Sequence, residues 1–341
     1  MTELFFELYK HLLFGDVLLV ILFSAASAWL LLHVFVPQLR SWLPDQPNAR
    51  SSHTRPTPRG GGFAFVAVAS VGSLIGLSCG HESAAVAMPL VAAPIAVVGF
   101  LDDHHNLPSS WRYLVQLFTA IFILTFSPIA QDLNLHFELG NLLTIPISAL
   151  LIIAVTAVIN FTNFMDGIDG LVAGCMAVAI STSAIQLSLP WPIWALVGAL
   201  LGFLLWNWSP AKLFMGDVGS TFLGAVFAGL VLQASSWPEA FGLLLVATPL
   251  LGDAFLCVPR RRLAGQQVFQ AHRLHLFQRL HQAGWPHARV SSLYIAATAV
   301  LSMALLWGGL PWVISLAALE LIIGVWLDRQ VAVPFAVASR N

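Results

Sequence analysis

Charged side chains are scarce in this chain of 341 residues. Asp, Glu, Lys and Arg together make up 9% of it, whereas a soluble domain carries about 25%. Hydrophobic residues reach 58%, and the mean hydropathy is +0.83. The shortage of charge excludes a soluble globular protein, and we expect an all-α, polytopic integral membrane protein instead.

Cysteine is also rare. Cys79, Cys175 and Cys257 stand singly in or beside apolar runs. They have neither metal-ligand spacing nor a disulfide framework, so we interpret them as small core residues. The first segment carries three acidic residues against Lys10, unlike the basic start of a signal peptide. We therefore predict one uncleaved spanning helix at this end.

Long apolar runs are what the chain has in place of charge. About eleven of them approach the roughly 17 to 25 residues that a bilayer-spanning helix needs. They lie near 17–36, 62–79, 84–101, 111–127, 142–159, 171–188, 191–207, 220–234, 240–258, 292–307 and 310–327.

The distribution of Lys and Arg predicts the orientation. With the N-terminus outside, Lys10 is the one basic residue left outside, as the positive-inside rule favours. We therefore expect a single transmembrane domain over 1–341 whose polar chemistry lies in five cytoplasmic loops. Those inner loops are at about 38–61, 102–110, 160–170, 208–219 and 259–291. An alternating pattern over 132–141 predicts a small outer hairpin.

The third inner loop is the densest polar cluster. Two amides and two carboxylates recur in it every three residues: Asn160, Asn163, Asp166 and Asp169. On a helix this spacing places neighbours side by side, and glycines at 167 and 170 let a ligand approach the backbone. The cluster suits a metal, a ribose or a nucleobase. The alternative is a polar connection between two spans in which the Asp residues cap helices.

The first two inner loops carry opposite charge. Three glycines, 60–62, open a helix beside Arg50, Arg55 and Arg59, an arrangement that suits a phosphate. A proline-rich connector with positive-inside arginines is the alternative. In the second loop Asp102-Asp103 directly follows a span, where adjacent carboxylates are costly unless paired or bound to a cation. Helix capping is the alternative there.

The last two inner loops add an acid, an aromatic ring and a basic cluster. Asp217 stands between two glycines at a helix start, a good place for a metal-bound carboxylate, and Phe214 could stack on a base. Spacing predicts that His272 and His275 share a helix face and hold a diphosphate with Arg273 or Arg279. A zinc pair is less attractive, because no third ligand lies nearby in sequence. The alternative for this loop is a basic helix lying on anionic lipid.

In their order and motifs, the five loops resemble the polyprenyl-phosphate N-acetylhexosamine-1-phosphate transferases, or glycosyltransferase family 4. The resemblance runs from about residue 38 to 291. Its most specific motifs are Asn163-x-x-Asp166-Gly-x-Asp169-Gly-Leu, Phe214-x-Gly-Asp217-x-Gly-Ser220 and Asp102-Asp103. The family implies that a UDP-linked N-acetylated sugar gives its sugar 1-phosphate to undecaprenyl phosphate, releasing UMP. It also implies Mg²⁺, with Mn²⁺ as a substitute, and a cytoplasmic active site in the bacterial inner membrane.

The resemblance assigns roles to the motif residues. Asp217 becomes the Mg²⁺ ligand, and Asp102 becomes the base that deprotonates the lipid phosphate, although Asp103 beside it is an open alternative. Phe214 would stack on uracil, and His272 and His275 match the histidine motif. The residues implied to hold the nucleotide or support the metal site are Asn163, Asp166 and Asp169. Arg59, Arg273 and Arg279 complete the predicted substrate-binding set.

Three departures argue against the muramoyl-pentapeptide transferase of the same family. His104 follows the Asp pair where that enzyme often has lysine, the last loop reads His-x-x-His, and Arg-Gly-Gly-Gly replaces Met-Gly-Gly. They favour the branch that starts O-antigen or common-antigen polymers, with UDP-GlcNAc, UDP-N-acetylfucosamine or UDP-N-acetylquinovosamine as donor. The muramoyl enzyme stays the alternative. Monomer and homodimer are both left open, and no nucleic acid partner is expected.

A secondary transporter is the rival from another class. It predicts ionisable residues near mid-bilayer and an internal repeat with broken helices. The sequence has no convincing repeat, and only Asp253 and Glu320 lie well inside spans. A non-catalytic lipid-binding scaffold would not require Asp217 between glycines. Both alternatives explain the dense loop carboxylates less well than a transferase does.

Overall fold

The structure is a computed structural model that describes residues 2–47, 56–131, 141–266 and 272–339. The described residues are mostly helical. The helices are α1 (Thr2–Trp42), α2 (Gly62–Ser78), α3 (Ala84–His105), α4 (Ser109–Thr125), α5 (Asn141–Phe164), α6 (Leu171–Gln186), α7 (Trp191–Asn207), α8 (Gly216–Val231), α9 (Trp237–Val246), α10 (Thr248–Leu263), α11 (Leu276–Gln282), α12 (His287–Met303), α13 (Gly309–Gln330) and α14 (Phe335–Ala338). A π-helical segment, Ala304–Gly308, joins α12 to α13.

Each predicted apolar run overlaps a helix, and one run is broken. The run 240–258 divides into α9 and α10, which bend by 84° at the break. Pro249 lies in the first turn of α10, where its missing N–H would have no helical partner in any case. The same proline prevents α9 from continuing as one helix into α10. The outer hairpin predicted over 132–141 falls, except for its last residue, outside the described residues.

The helices fit a polytopic membrane protein. Four described segments are long and apolar enough to cross a bilayer: Gly15–Trp42, Ala84–His105, Ile145–Phe164 and His287–Gln330. The bent pair α9–α10 would make a fifth, and α2, α6, α7 and α8 are shorter apolar helices. The number of about eleven spans stays a prediction.

Helix α8 is the centre of the bundle. Every residue from Val218 to Val231 is buried, as expected for a helix that is apolar all round. Glycines bring two neighbours onto its first turn. A Cβ on Gly62 would lie 2.4 Å from Cα of Gly219, and one on Gly99 would lie 2.6 Å from the carbonyl oxygen of Asp217. The start of α8 is therefore fixed against both α2 and α3.

A two-stranded hairpin supports the same end of the bundle. Strand β1 (Pro44–Asp45) pairs antiparallel with β2 (Thr57–Pro58). The Phe214 N–H donates to the Pro58 carbonyl at 2.9 Å, so the hairpin is joined to the segment that leads into α8. The first and fourth predicted inner loops thus meet.

Candidate active site

Asp217 lies in the first turn of α8 and is the residue of that helix that is not fully buried. Its carboxylate is held from two sides. Nδ2 of Asn163, near the end of α5, donates to Oδ1 of Asp217 and to Oγ of Ser220, both at 2.9 Å. A guanidinium nitrogen of Arg112 lies 3.5 Å from Oδ2 of Asp217. The third and fourth inner loops therefore converge on this carboxylate.

The adjacent acids of the second inner loop have different partners. Asp102 accepts a hydrogen bond from Arg112 at 3.0 Å, so one guanidinium links Asp102 to Asp217. Oδ2 of Asp103 accepts the Val218 N–H at 3.4 Å, where the positive end of α8 favours a carboxylate. The capping alternative thus fits Asp103, although it caps α8 and not its own helix.

Some of these side chains border a cavity of about 300 Å³, whereas Asp102 and Asp103 are not among the residues that line it. Its wall includes Asn163, Asp217, His272 and His275 from the predicted set, and Arg112 as an addition. The prediction that separate inner loops share one site is supported by this convergence. The roles assigned to the individual residues stay predictions.

One wall of the cavity is a reciprocal amide pair. Nδ2 of Asn160 donates to Oε1 of Gln116 at 2.7 Å, and Nε2 of Gln116 donates to Oδ1 of Asn160 at 3.3 Å. Asn160 also donates to the Thr156 carbonyl one turn earlier on α5. Because their donors are used internally, these amides form a fixed polar surface.

The third inner loop does not continue as a helix. Helix α5 ends at Phe164, so Asp166 and Asp169 lie in the connection to α6 and not on a shared helix face. Glycines at 167 and 170 favour this ending. Burial, followed by the charges of Asp217 and Asp103, raises the pKa of Asp166 to about 8. Asp166 therefore belongs to the carboxylate cluster around Asp217.

Asp169 is a cross-link between loops and does not line the cavity. Oδ2 accepts the Ala211 N–H at 3.0 Å, and Oδ1 lies 3.1 Å from Nδ1 of His287. Ser291 donates to the Asp169 carbonyl at 2.6 Å. The expectation that Asp169 touches substrate is thus not supported by its position, because its carboxylate holds the fourth loop and α12 in place.

Two of the three glycines of the first inner loop, Gly61 and Gly62, do not present free N–H groups to a phosphate. The N–H of Gly61 donates to the Phe214 carbonyl, and that of Gly62 donates to the Met215 carbonyl, both at 2.9 Å. For these two glycines the phosphate-site prediction is wrong, because they serve close helix packing instead. Arg59 is ion-paired with Asp45, and Arg50 and Arg55 lie outside the described residues.

His272 and His275 lie together, but not on a helix face. Helix α11 begins at Leu276, with His275 at its N-cap, and the two imidazole rings stack with centroids 4.8 Å apart. Burial and the charge of His275 lower the pKa of His272 to about 3. Burial would also lower the pKa of His275, but the nearby carboxylate of Asp253 outweighs it and raises the pKa to about 9. At neutral pH the pair supplies one cation and one neutral ring.

The remaining predicted residues lie away from the described cavity wall. Arg279 is buried, ion-paired with Asp328, and donates to the Leu274 and Val333 carbonyls. The expectation that it binds the diphosphate is wrong, because its guanidinium is used to hold α11 against the end of α13. Arg273 and Phe214 are partly exposed and are not among the residues that line the cavity.

Several site residues escaped the sequence prediction. Arg112 stands alone at the start of an apolar run, and Gln116 follows it by four residues, so both face one side of α4. Cys257 comes from α10, and its ligand atom lies within 4.8 Å of those of His272 and His275. Polar residues inside a span were the available signal for Arg112 and Gln116. Nothing in the spacing indicated the Cys257 contact.

Comparison with known proteins identifies relatives in one family. Residues 85–235 match the family described as Glycosyl transferase family 4. The chain is 32% identical over 272 residues to the probable undecaprenyl-phosphate N-acetylglucosaminyl 1-phosphate transferase of Bacillus subtilis, covering 74% of this chain and 73% of that protein.

Two further relatives carry different substrate names. The decaprenyl-phosphate N-acetylglucosaminephosphotransferase of Mycobacterium leprae is 33% identical over 286 residues, covering 72% of this chain and 71% of that protein. The phospho-N-acetylmuramoyl-pentapeptide-transferase of Deinococcus radiodurans is 31% identical over 320 residues, covering 84% of this chain and 99% of that protein.

Proposed function

The chain belongs to glycosyl transferase family 4, and from that premise we propose that it transfers an N-acetylated sugar 1-phosphate from a UDP-sugar to undecaprenyl phosphate. The observation that carries the proposal is the convergence of Asn163, Asp217, His272 and His275 with Arg112 on one cavity. A carboxylate, an amide and cations around one cavity suit a diphosphate with a divalent ion.

The carboxylate cluster fits the Mg²⁺ that the family implies. Asp217 and Asp166 offer only oxygen ligands, the type that Mg²⁺ prefers. Burial first, and the charge of Asp217 second, raise the pKa of Asp166, and a bound cation would offset both. We assign Asp217 as ligand, with Asp166 supporting the site. When bound, Mg²⁺ would neutralise charge on the diphosphate and on the departing UMP.

The chain's own residues provide positioning and proton transfer. An oxygen of the lipid phosphate attacks the phosphorus that carries the sugar, and the bond from that phosphorus to the bridging oxygen breaks, releasing UMP. Asp102 is the better candidate to take the proton of the lipid phosphate, because Asp103 is occupied at the start of α8. Arg112 lies between Asp102 and Asp217, where it offsets the charge of the incoming phosphate.

The histidine pair would stabilise the charge that develops on the diphosphate. His275 carries a positive charge at neutral pH because Asp253 raises its pKa. Neutral His272 accepts the Leu274 N–H at Nδ1, so its single ring N–H is at Nε2. Asn163 fixes the direction of Asp217. This division of roles follows the usual electrostatic logic of phosphoryl transfer, in which pre-placed groups act where charge appears.

We also propose which UDP-sugar is the donor and which polymer the product initiates. The relatives from Bacillus subtilis and Mycobacterium leprae are named for N-acetylglucosamine, so we propose UDP-GlcNAc as the first donor to test. The departures at the Asp pair and the histidine motif favour initiation of an O-antigen-type polymer at the cytoplasmic face of the inner membrane. The match over nearly the whole Deinococcus enzyme favours the muramoyl-pentapeptide donor as second candidate.

One assay separates these candidates. Purified protein is incubated with Mg²⁺, undecaprenyl phosphate and one UDP-sugar at a time, and UMP release and the lipid product are measured. The panel is UDP-GlcNAc, UDP-N-acetylfucosamine, UDP-N-acetylquinovosamine and UDP-muramoyl-pentapeptide. We expect turnover with an N-acetylhexosamine donor and none without the lipid phosphate. Turnover with the pentapeptide donor alone would contradict the proposed branch, and no UMP from any donor would contradict the reaction.

A further inference from the structure

Three side chains outside the carboxylate cluster form a compact group of nitrogen and sulfur ligands. Cys257 lies on α10, and His272 and His275 precede α11. One potential ligand atom from each lies within 4.8 Å of the other two. Cys257 is 5% exposed and His275 is 2% exposed. Among the described residues, this is the one group of three such side chains with metal-site spacing.

We propose that Cys257, His272 and His275 bind a divalent transition-metal ion of the Zn²⁺ type. A thiolate with two imidazoles is a ligand set that suits Zn²⁺, whereas Mg²⁺ prefers oxygen ligands. The site is therefore chemically distinct from the one assigned to Asp217. Three protein ligands leave a fourth position open, as in catalytic zinc sites. His272 and His275 line the active cavity, so an ion held by them would be reachable from it.

A fixed carboxylate stands behind the group. Oδ1 of Asp253 lies 3.7 Å from Nδ1 of His275, and this buried nitrogen has no hydrogen-bond partner. A carboxylate behind a metal-bound imidazole commonly orients the ring. Asp253 is itself held by the N–H groups of Leu276 and Phe277, at 2.8 and 3.1 Å, and by the Tyr294 hydroxyl at 2.8 Å. A small shift of His275 would bring Nδ1 within hydrogen-bond distance of Asp253 and leave Nε2 to bind the ion.

The local charges balance a divalent ion. The Cys257 thiolate and the Asp253 carboxylate together offset its two positive charges. His272 must give up the hydrogen bond that it accepts from the Leu274 N–H, because a neutral imidazole has only one unprotonated nitrogen.

The ion would extend the role proposed for the histidine pair. Its open position would receive a diphosphate oxygen in place of direct contacts to the two rings, and this step alone rests on the proposed function. Metal binding itself does not. Its test therefore measures bound metal and not turnover, so a failure of either idea is recognised separately.

Metal content provides the direct test. The full chain, purified without a polyhistidine tag, is equilibrated with buffered Zn²⁺ and analysed by mass spectrometry for metal per chain. We expect about one zinc in the wild type. Cys257→Ser and His272→Ala should lose it, and Asp253→Asn should weaken binding about 10–100-fold. Cys175→Ser is the matched control, because this buried cysteine lies on α6, outside the group. Equal zinc in wild type and Cys257→Ser would overturn the proposal.

Cobalt substitution keeps the test decisive if Cys257→Ser does not fold. The chain has three cysteines, so the double variant Cys79→Ser/Cys175→Ser retains only Cys257. Co²⁺ bound to this variant should give a thiolate-to-cobalt charge-transfer band and a tetrahedral visible spectrum. Absence of the thiolate band from both the wild type and the double variant would refute a Cys257 ligand.

Discussion

Asp217 combines charge with unusual accessibility within its helix. Replacing it by Asn keeps the size and the contact with Asn163 but removes the negative charge. We expect Asp217→Asn to fold and to lose at least about 100-fold in kcat, since a charge-stabilising group is lost from the transition state. UMP release gives kcat, and thermal unfolding checks the fold. Glu82→Gln, an exposed acid, is the matched control. Substantial turnover with unchanged Mg²⁺ dependence would remove Asp217 from the metal.

The histidine pair makes a separate prediction for catalysis. His272→Ala and His275→Ala should each lower kcat by about 10²–10³, with a smaller change in KM, because the lost contacts act mainly in the transition state. Arg262→Ala is the control, since Arg262 is exposed at the end of α10. Arg260 is less suitable, because it is ion-paired with Asp328 at 2.8 Å. Near-normal kcat in both His variants would contradict the catalytic interpretation and favour the lipid-surface alternative.

The sequence indicated which side chains carry the chemistry, but it did not indicate which partner each side chain faces. The motifs predicted that Asn163, Asp217 and the two histidines share one site, and all four line the same cavity. They misassigned Arg279, because an arginine in a basic loop looks the same whether its guanidinium faces a ligand or Asp328. Sequence spacing also did not predict that Cys257 lies close to His275. Spacing along a chain locates a residue on its own element, whereas these contacts cross between elements.

At the scale of elements, the site depends on how helices begin and end. The spacing of Asn160, Asn163 and Asp166 predicted one continuous face, but α5 ends at Phe164. The His-x-x-His spacing predicted that His272 and His275 share a helix face. However, Asp253 accepts the first N–H groups of α11, so this helix begins only after His275. Helix existence followed from apolar runs, whereas these boundaries depend on partners distant in sequence.

The Asp169 cross-link between elements predicts a pH-dependent stability. Burial alone would raise the pKa of Asp169, but the hydrogen bond and charge of His287 lower it below the ordinary 3.8. A carboxyl with a depressed folded pKa stabilises the protein above its unfolded pKa, and this stabilisation is lost as pH falls through the folded pKa. Asp169→Asn should therefore cost about 1–3 kcal/mol of unfolding free energy at neutral pH.

The same variant should lose its disadvantage in acid. Below about pH 4 the wild-type carboxyl begins to lose its advantage over the amide, so the difference in Tm between wild type and Asp169→Asn should shrink. Thermal unfolding in detergent at neutral and acidic pH measures it, with Glu82→Gln as a control that should differ little from wild type at either pH. A gap that is equal at both pH values would mean that the charge of Asp169 does not stabilise the fold.

At the scale of the whole molecule, one end of the helical bundle carries the chemistry. Asp102 reaches Asp217 through Arg112, Asn163 contacts Asp217 directly, and His275 lines the same cavity. The loops that carry these residues must lie on one side of the membrane, since a loop on the other side would be a bilayer thickness away. The arginine distribution predicts that this side is the cytoplasm.

Reporter fusions test that orientation in cells. Alkaline phosphatase, which is active only outside the cytoplasm, should be active when fused after Gly80 or Asn134. It should be silent after Asn106 or Gly265, positions next to the carboxylate and histidine segments. Fusion abundance is the control, and a reporter active only in the cytoplasm should give the complementary pattern at each position. A reversed pattern would place the site outside. Disagreement between Asn106 and Gly265 would separate two segments that the cavity requires together, and would refute the single cytoplasmic site.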